Sequence, residues 1–109
     1  MAGFRVLLKV DVVPGKEADF EREWLAGRDV IAGHPANRGH WLCRSESEGT
    51  TYYVTSDWTD EAQFREFERS EAHLAHRSKL HPYRVGGSMA TMSVLAGEAK
   101  TGAAQAVTP

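Results

Sequence analysis

A second cysteine is missing from this 109-residue chain: Cys43 stands alone, so no internal disulfide can staple the fold. Also missing is any apolar run approaching the roughly 20 residues needed to span a bilayer. No sign of charge dominates, since 13 Lys and Arg face 15 Asp and Glu for a formal net charge of -2. Without a run of Lys or Arg there is no electrostatic reason to expect nucleic acid or an anionic membrane as a partner. The opening MAGFRVLLKVDVVPGKE alternates like a strand and lacks the layout of a signal peptide, which leads to the expectation of a cytoplasmic protein. What remains is one small domain, of a size whose core is marginal alone, serving small molecules or protein partners.

The periodicities define the elements. From Phe4 to Val13 the even positions Phe4, Val6, Leu8, Val10 and Val12 are apolar, while Arg5, Lys9 and Asp11 share the other face with Leu7 and Val13. A period of two predicts a strand. Pro14 and Gly15 break it, and Lys16 to Ile31 then sets Phe20, Trp24 and Ile31 apart from Glu17, Glu21, Glu23 and Arg28, as in an amphipathic helix ending near Gly33, His34 and Pro35. Arg38 to Ser45 and Thr51 to Trp58, separated by the polar stretch Glu46 to Gly49, read as an antiparallel hairpin. Thr59 or Asp60 is the candidate cap of a helical region from Glu61 to Leu80, within which Ser70 and Glu71 are placed to start a second, offset helix. Pro82, Gly86 and Gly87 end that region, and Ser88 to Ala96 alternates as a last strand. Residues 1–96 therefore make the domain, and Gly97 to Pro109, with no large apolar residue beyond Val107, is expected to be a flexible tail.

The order βαββαβ predicts an α+β, ferredoxin-like domain: a four-stranded antiparallel sheet with helices on one face. The far face keeps Leu7, Val13 and several aromatic or methionine side chains, which something must cover. Pairing two sheets face to face buries them at roughly 25 cal/mol per Å² of apolar area, so a homodimer is expected.

Four stretches carry a family resemblance: the run PGKEADFEREW, the aspartate and tryptophan of SDWTDEAQF, the S-x-x-H of Ser70 to His73, and HPYRVGGSM. Together, over about Phe4 to Leu95, they resemble the antibiotic biosynthesis monooxygenase family of dimeric α+β barrels. That barrel also hosts haem-degrading enzymes, polyketide cyclases and stress proteins. Within the family the chain looks most like small oxygenases of aromatic polyketide pathways, which oxidise anthrone or naphthacenone rings to quinones with O₂ and without metal or flavin. The resemblance implies a pocket between helices and sheet, lined by the tryptophan that ends the third strand, here Trp58. Val54 stands where better-known polyketide members carry an asparagine four residues earlier, and Phe64 where they carry a tyrosine six residues later. The polar work therefore falls to other groups.

Histidine suits that work. Such an oxygenase must take a proton from a phenol or an activated methylene, leaving a carbanion electron-rich enough to reduce O₂ directly. An imidazole titrates near neutrality and fits this step. His73 and His76 lie at i and i+3 on one helical face, and His40 shares a strand face with Leu42 and Arg44, so the order of preference for the base is His73, His76, His40. Tyr52, Val54, Phe64 and Phe67 are the candidate pocket lining beside Trp58. Arg84, with Tyr83, steadies a phenolate in one reading and forms a dimer contact in the other. His34 and His81, each beside a proline, read as turn residues, Trp24 as helix packing and Trp41 as sheet or dimer packing.

Other chemistries find less support. A zinc or iron site prefers three or four convergent ligands, and His73 with His76 supplies two, so no metal is expected. Haem-degrading relatives use a first-strand asparagine where this chain is aliphatic, near Leu8. No Gly-rich loop opens a helix to cradle a flavin phosphate, and Cys43 lies within a strand, away from any helix N-terminus that would favour a nucleophilic role. The expected cofactor set is empty, with O₂ as co-substrate. The leading reading is a homodimeric, cofactor-independent monooxygenase of an aromatic polyketide. A polyketide cyclase closing a ring by aldol condensation, and a noncatalytic accessory protein of a larger synthase, are the alternatives.

Overall fold

The structure is a computed structural model that describes residues 3–98. Its elements are β1 (Gly3–Val12), α1 (Glu17–Ala26), α2 (Arg28–Ala32), β2 (Asn37–Arg44), β3 (Thr51–Trp58), α3 (Glu61–Glu68), α4 (Glu71–Leu80), a 3-10 turn (His81–Tyr83) and β4 (Arg84–Val94). The strands form one antiparallel sheet in the order β2-β3-β1-β4, the α+β, ferredoxin-like arrangement with helices on one face. The tail expected from Gly97 lies outside the described residues from position 99 onward.

Strand alternation decides what lies under the helices. On β1, Val6, Val10 and Val12 are buried, and on β3 so are Tyr52, Val54, Ser56 and Trp58. The helices answer with Phe20, Trp24, Ile31, Phe64 and Phe67, all buried. The intervening positions, among them Leu7, Tyr53 and Thr55, face away from the helices together with Trp41 and Ala90, their register neighbours.

Two helix starts behave as their capping residues dictate. Asp60 accepts a hydrogen bond from the Gln63 backbone N–H at 2.8 Å and opens α3. Ser70 accepts from the His73 N–H at 3.2 Å and donates its own hydroxyl to the Phe67 carbonyl at 2.7 Å, so one residue ends α3 and starts α4. The helix expected as one piece from Lys16 to Ile31 is instead broken. Gly27, whose N–H turns back to the Glu23 and Trp24 carbonyls at 3.3 and 3.2 Å, separates α1 from the short α2. Glycine is a weak helix former in such an interior position.

The last strand also departs from expectation. It starts at Arg84, so Gly86 and Gly87 lie inside β4 and do not precede it. Pairing with β1 outweighs their low strand propensity, and the register slips between Asp11 and Val12, where Val85 is the extra residue. At Gly87 a side chain would not fit: a Cβ there would stand 2.3 Å from the Lys9 carbonyl oxygen. Among the described residues no helix is long and apolar enough to cross a membrane.

Candidate active site

Between the helices and the sheet lies a cavity of about 340 Å³, within the size range of sites for small organic ligands. One end is aromatic. Trp58 packs on Phe64 and Phe67 with ring centroids 5.3 and 4.8 Å apart, and Phe67 in turn packs on His73 at 4.7 Å. The indole is oriented from within its own strand: Trp58 Nε1 donates to the Ser56 hydroxyl at 2.9 Å, a pair buried two residues apart on the same strand face. His34 closes the cluster from behind, 5.7 Å from Trp58 and 5.8 Å from Phe67, and its Nδ1 accepts from the Ala36 N–H at 3.1 Å. It is more than the turn residue expected.

The histidines of α4 add polar groups to the cavity wall. His73 and His76 both line the cavity, and His73 Nδ1 and His76 Nε2 are buried with no hydrogen-bond partner among the described residues. The two nitrogens differ in their surroundings: His76 Nε2 packs against Gly27 within reach of the Glu23 and Trp24 carbonyls, so the atom receptive to a ligand proton is His73 Nδ1, a buried ring nitrogen left unpaired being costly. Burial lowers the pKa of His73 first, then Arg77 and His76, against a small opposing pull from Glu68. Burial also lowers His76, while the carbonyls of Glu23 and Trp24 at the end of α1 act in the other direction. Both imidazoles are thereby held in the neutral form that accepts a proton. His76 owes its place to Gly27, where a Cβ would stand 2.1 Å from its Cδ2 atom and 2.3 Å from Nε2.

Val54, Trp58, Phe64, Phe67, His73, His76 and Arg84 thus come together around one cavity. His40 and Tyr52 do not. The His40 ring packs on Trp24 at 5.7 Å toward the β2 edge, its pKa lowered by burial and then Arg28. The Tyr52 ring packs on Phe20 at 4.9 Å and its hydroxyl donates to Glu21 at 2.5 Å; burial and that carboxylate push its pKa up to about 12. A spent hydroxyl in the core is a structural group. The cavity also takes in residues that periodicity does not single out, namely Ser56, Glu68 and Arg77, as well as Trp24, which was expected only to pack a helix. Ser56 shares the strand parity of Val54 and Trp58, and Arg77 follows His73 by one helical turn, which are the signals that could have found them. Cys43 is exposed, and among the described residues no three His, Cys, Asp or Glu side chains gather as metal ligands do.

An antiparallel sheet with one face covered, and an apolar cavity beneath the cover lined by two imidazoles, define a small α+β module of the ferredoxin-like class. The profile of the family described as antibiotic biosynthesis monooxygenase matches residues 3–79, and the chain belongs to that family. Protein SchA of Streptomyces halstedii is 31% identical over 91 residues, 84% of this chain and 24% of that protein. The 42.8 kDa protein in the whiE locus of Streptomyces coelicolor is 33% identical over 70 residues, 64% of this chain and 18% of that protein. The chain therefore spans a quarter or less of the length of these curated relatives. Among solved structures it is similar to SnoaB, a cofactor-independent oxygenase from Streptomyces nogalater, with a TM-score of 0.79 at 20% identity, covering 89% of this chain and 97% of that one. PA3566 from Pseudomonas aeruginosa gives a TM-score of 0.77 at 16% identity, covering 88% and 97%. At these identities the likeness establishes the shared fold.

Proposed function

We propose that this chain is a cofactor-independent monooxygenase that oxidises an aromatic polyketide of anthrone or naphthacenone type with O₂, and that it works as a homodimer. The observation that carries the reading is the cavity itself: aromatic at the Trp58 end, with the buried, unpaired Nδ1 of His73 next to Phe67 and His76 on the same wall. Membership of the family and the likeness to a cofactor-independent oxygenase support it.

In this reading Trp58, Phe64 and Phe67 bind the flat rings of the substrate and Val54 fills the wall where a polar residue is absent. His73, which touches Phe67, takes a proton from the activated methylene at Nδ1, and His76 serves as the second imidazole. The Ser56 hydroxyl, its oxygen engaged by the indole, has its own proton left to donate to the carbonyl oxygen on which the carbanion delocalises. The carbanion then passes electrons to O₂. In the anthrone case a ring methylene becomes a carbonyl and one molecule of water leaves, so all four electrons gained by O₂ come from the substrate and no external reductant is needed.

Oxygen consumption by the purified protein with dithranol, an anthrone phenol, tests the proposal, with and without a chelator. Uptake above the spontaneous rate that survives chelation is expected, and His73→Ala should lower it by about 10²-fold or more, the usual contribution of a positioned base. No uptake beyond the buffer control, or undiminished uptake in His73→Ala, sinks the assignment. Anaerobic conversion of a linear polyketide would transfer the same cavity to cyclase chemistry.

A further inference from the structure

The end of the cavity remote from Trp58 is cationic. Arg84 begins β4, half-buried, with its Nη2 atom packed 3.3 Å from the point where a Gly87 Cβ would sit. Arg77, on the last turn of α4, lines the same cavity. The two guanidiniums oppose one another: burial first, then Arg77, pulls the Arg84 pKa down. Arg77 is exposed, so water compensates its charge; the half-buried Arg84 guanidinium is the one that ordinarily has a carboxylate beside it, because an uncompensated charge out of water is costly. Neither arginine makes a salt bridge among the described residues. The acid on the cavity wall, Glu68, is engaged by Arg65 at 3.2 Å.

Register fixes how far this charge lies from the aromatic end. Trp58 pairs with Phe4 and Arg84 with Val12, eight residues along β1. The side chains bridge that span: the rings of Trp58, Phe67 and His73 follow one another at 4.8 and 4.7 Å, and Arg77 lies one helical turn beyond His73. The cavity therefore runs from Trp58 through Phe67 and His73 to Arg77 and Arg84.

We infer that Arg77 and Arg84 form a clamp for a carboxylate that the substrate carries on the side opposite the ring that reacts. The inference rests on the reading of this cavity as an aromatic-polyketide site and deepens it to an acidic substrate. A permanent carboxylate fits better than the transient enolate, because planar guanidinium forks match a carboxylate in two-point contacts. Arg77 further favours neutral His73, so the clamp and the base are electrostatically compatible.

Binding can be measured apart from turnover with two stable anthraquinones: rhein, a carboxylic acid, and chrysophanol, which carries a methyl group in place of the carboxyl. Titrations at neutral pH, followed by quenching of tryptophan fluorescence, should show rhein bound about tenfold or more tightly. Arg84→Gln and Arg77→Gln, checked for folding by circular dichroism, should remove that preference and leave chrysophanol affinity unchanged. Equal affinities in the unaltered protein, or a preference that survives both substitutions, overturn the clamp. Loss of oxygen uptake in Arg84→Gln with an intact rhein preference overturns it as well and assigns the cations to the enolate. A rhein preference without any oxygen uptake with dithranol keeps the clamp while the oxygenase reading falls. Binding of neither anthraquinone removes both.

Discussion

At Ser56 one hydroxyl holds the Trp58 indole in place and faces the cavity at once. It accepts from Trp58 Nε1 at 2.9 Å in a buried setting. Ser56→Ala would leave the indole N–H without a partner, at a cost of about 1–3 kcal/mol of stability. It would also withdraw the donor from the substrate carbonyl, so oxygen uptake should fall by more than the folded fraction does. Chemical denaturation alongside kinetics separates the two losses; unchanged stability and unchanged turnover would dismiss both roles. In the sequence only strand parity marks this residue: Ser56 shares the face of Val54 and Trp58, but a serine there looks like any polar strand position until the pairing register shows that face turned inward. The imidazoles lead to a second residue-scale expectation. His40, His73 and His76 all have folded pKa values lowered mainly by burial. Between the lowered folded value and the usual one the unfolded chain binds more protons, so stability falls as pH drops through about 6.5. The charges facing His76 are Lys79 and Glu23, with Lys79 lowering its pKa and Glu23 raising it. Thermal midpoints from about pH 7.5 to about pH 5.5 should decline, and His76→Gln should flatten the decline. A flat profile in the unaltered protein would mean these rings are solvated when folded.

Elements, more than single residues, decide where the histidines point. The apolar spacing of Phe20, Trp24 and Ile31 is enough to place a helix on the sheet, and the Ser70 cap is enough to start α4. Glycine's weak helix propensity permits the break at Gly27, but the need for a glycine there is not legible in the same way, since it lies in the approach of α4 from across the chain. His76 lies over the gap, within reach of the carbonyls that end α1, and the glycine is what makes room. Its φ of -102° suits any residue, so the constraint is one of space and not of backbone conformation. Gly27→Ala would drive a methyl group into the imidazole and should cost about 1–3 kcal/mol, the range for overpacking. The double variant Gly27→Ala/His76→Ala should recover most of that loss, because the clash has lost its partner. Additive losses in the cycle would show that Gly27 matters for the helix break alone. Similarly, Gly86 and Gly87 read locally as a stop, whereas β1 recruits them into β4 by pairing.

For the molecule as a whole, the sheet is covered on one side and bare on the other. The alternation that buries Val6, Val10 and Val12 under the helices necessarily turns Leu7 outward, and register brings Ala90, Thr55 and Trp41 alongside it. The β4 edge adds Val85 and Met92, 67% and 38% exposed. An apolar, half-wet sheet face of this kind ordinarily has a cover. A second copy supplies one with the same composition, so the chain, of 12.1 kDa, is expected to sediment at twice its own mass at micromolar concentration. Leu7→Arg sets a charge at the centre of that face without touching the cavity, whose β1 lining comes from Val6, Leu8 and Val10. It should shift sedimentation to the single-chain mass while leaving the helical circular dichroism signal in place. If the unaltered protein already sediments as a single chain, the bare face has another cover and the homodimer is wrong. If Leu7→Arg remains double, pairing runs through a different surface, and the exposed β4 edge becomes the next place to substitute.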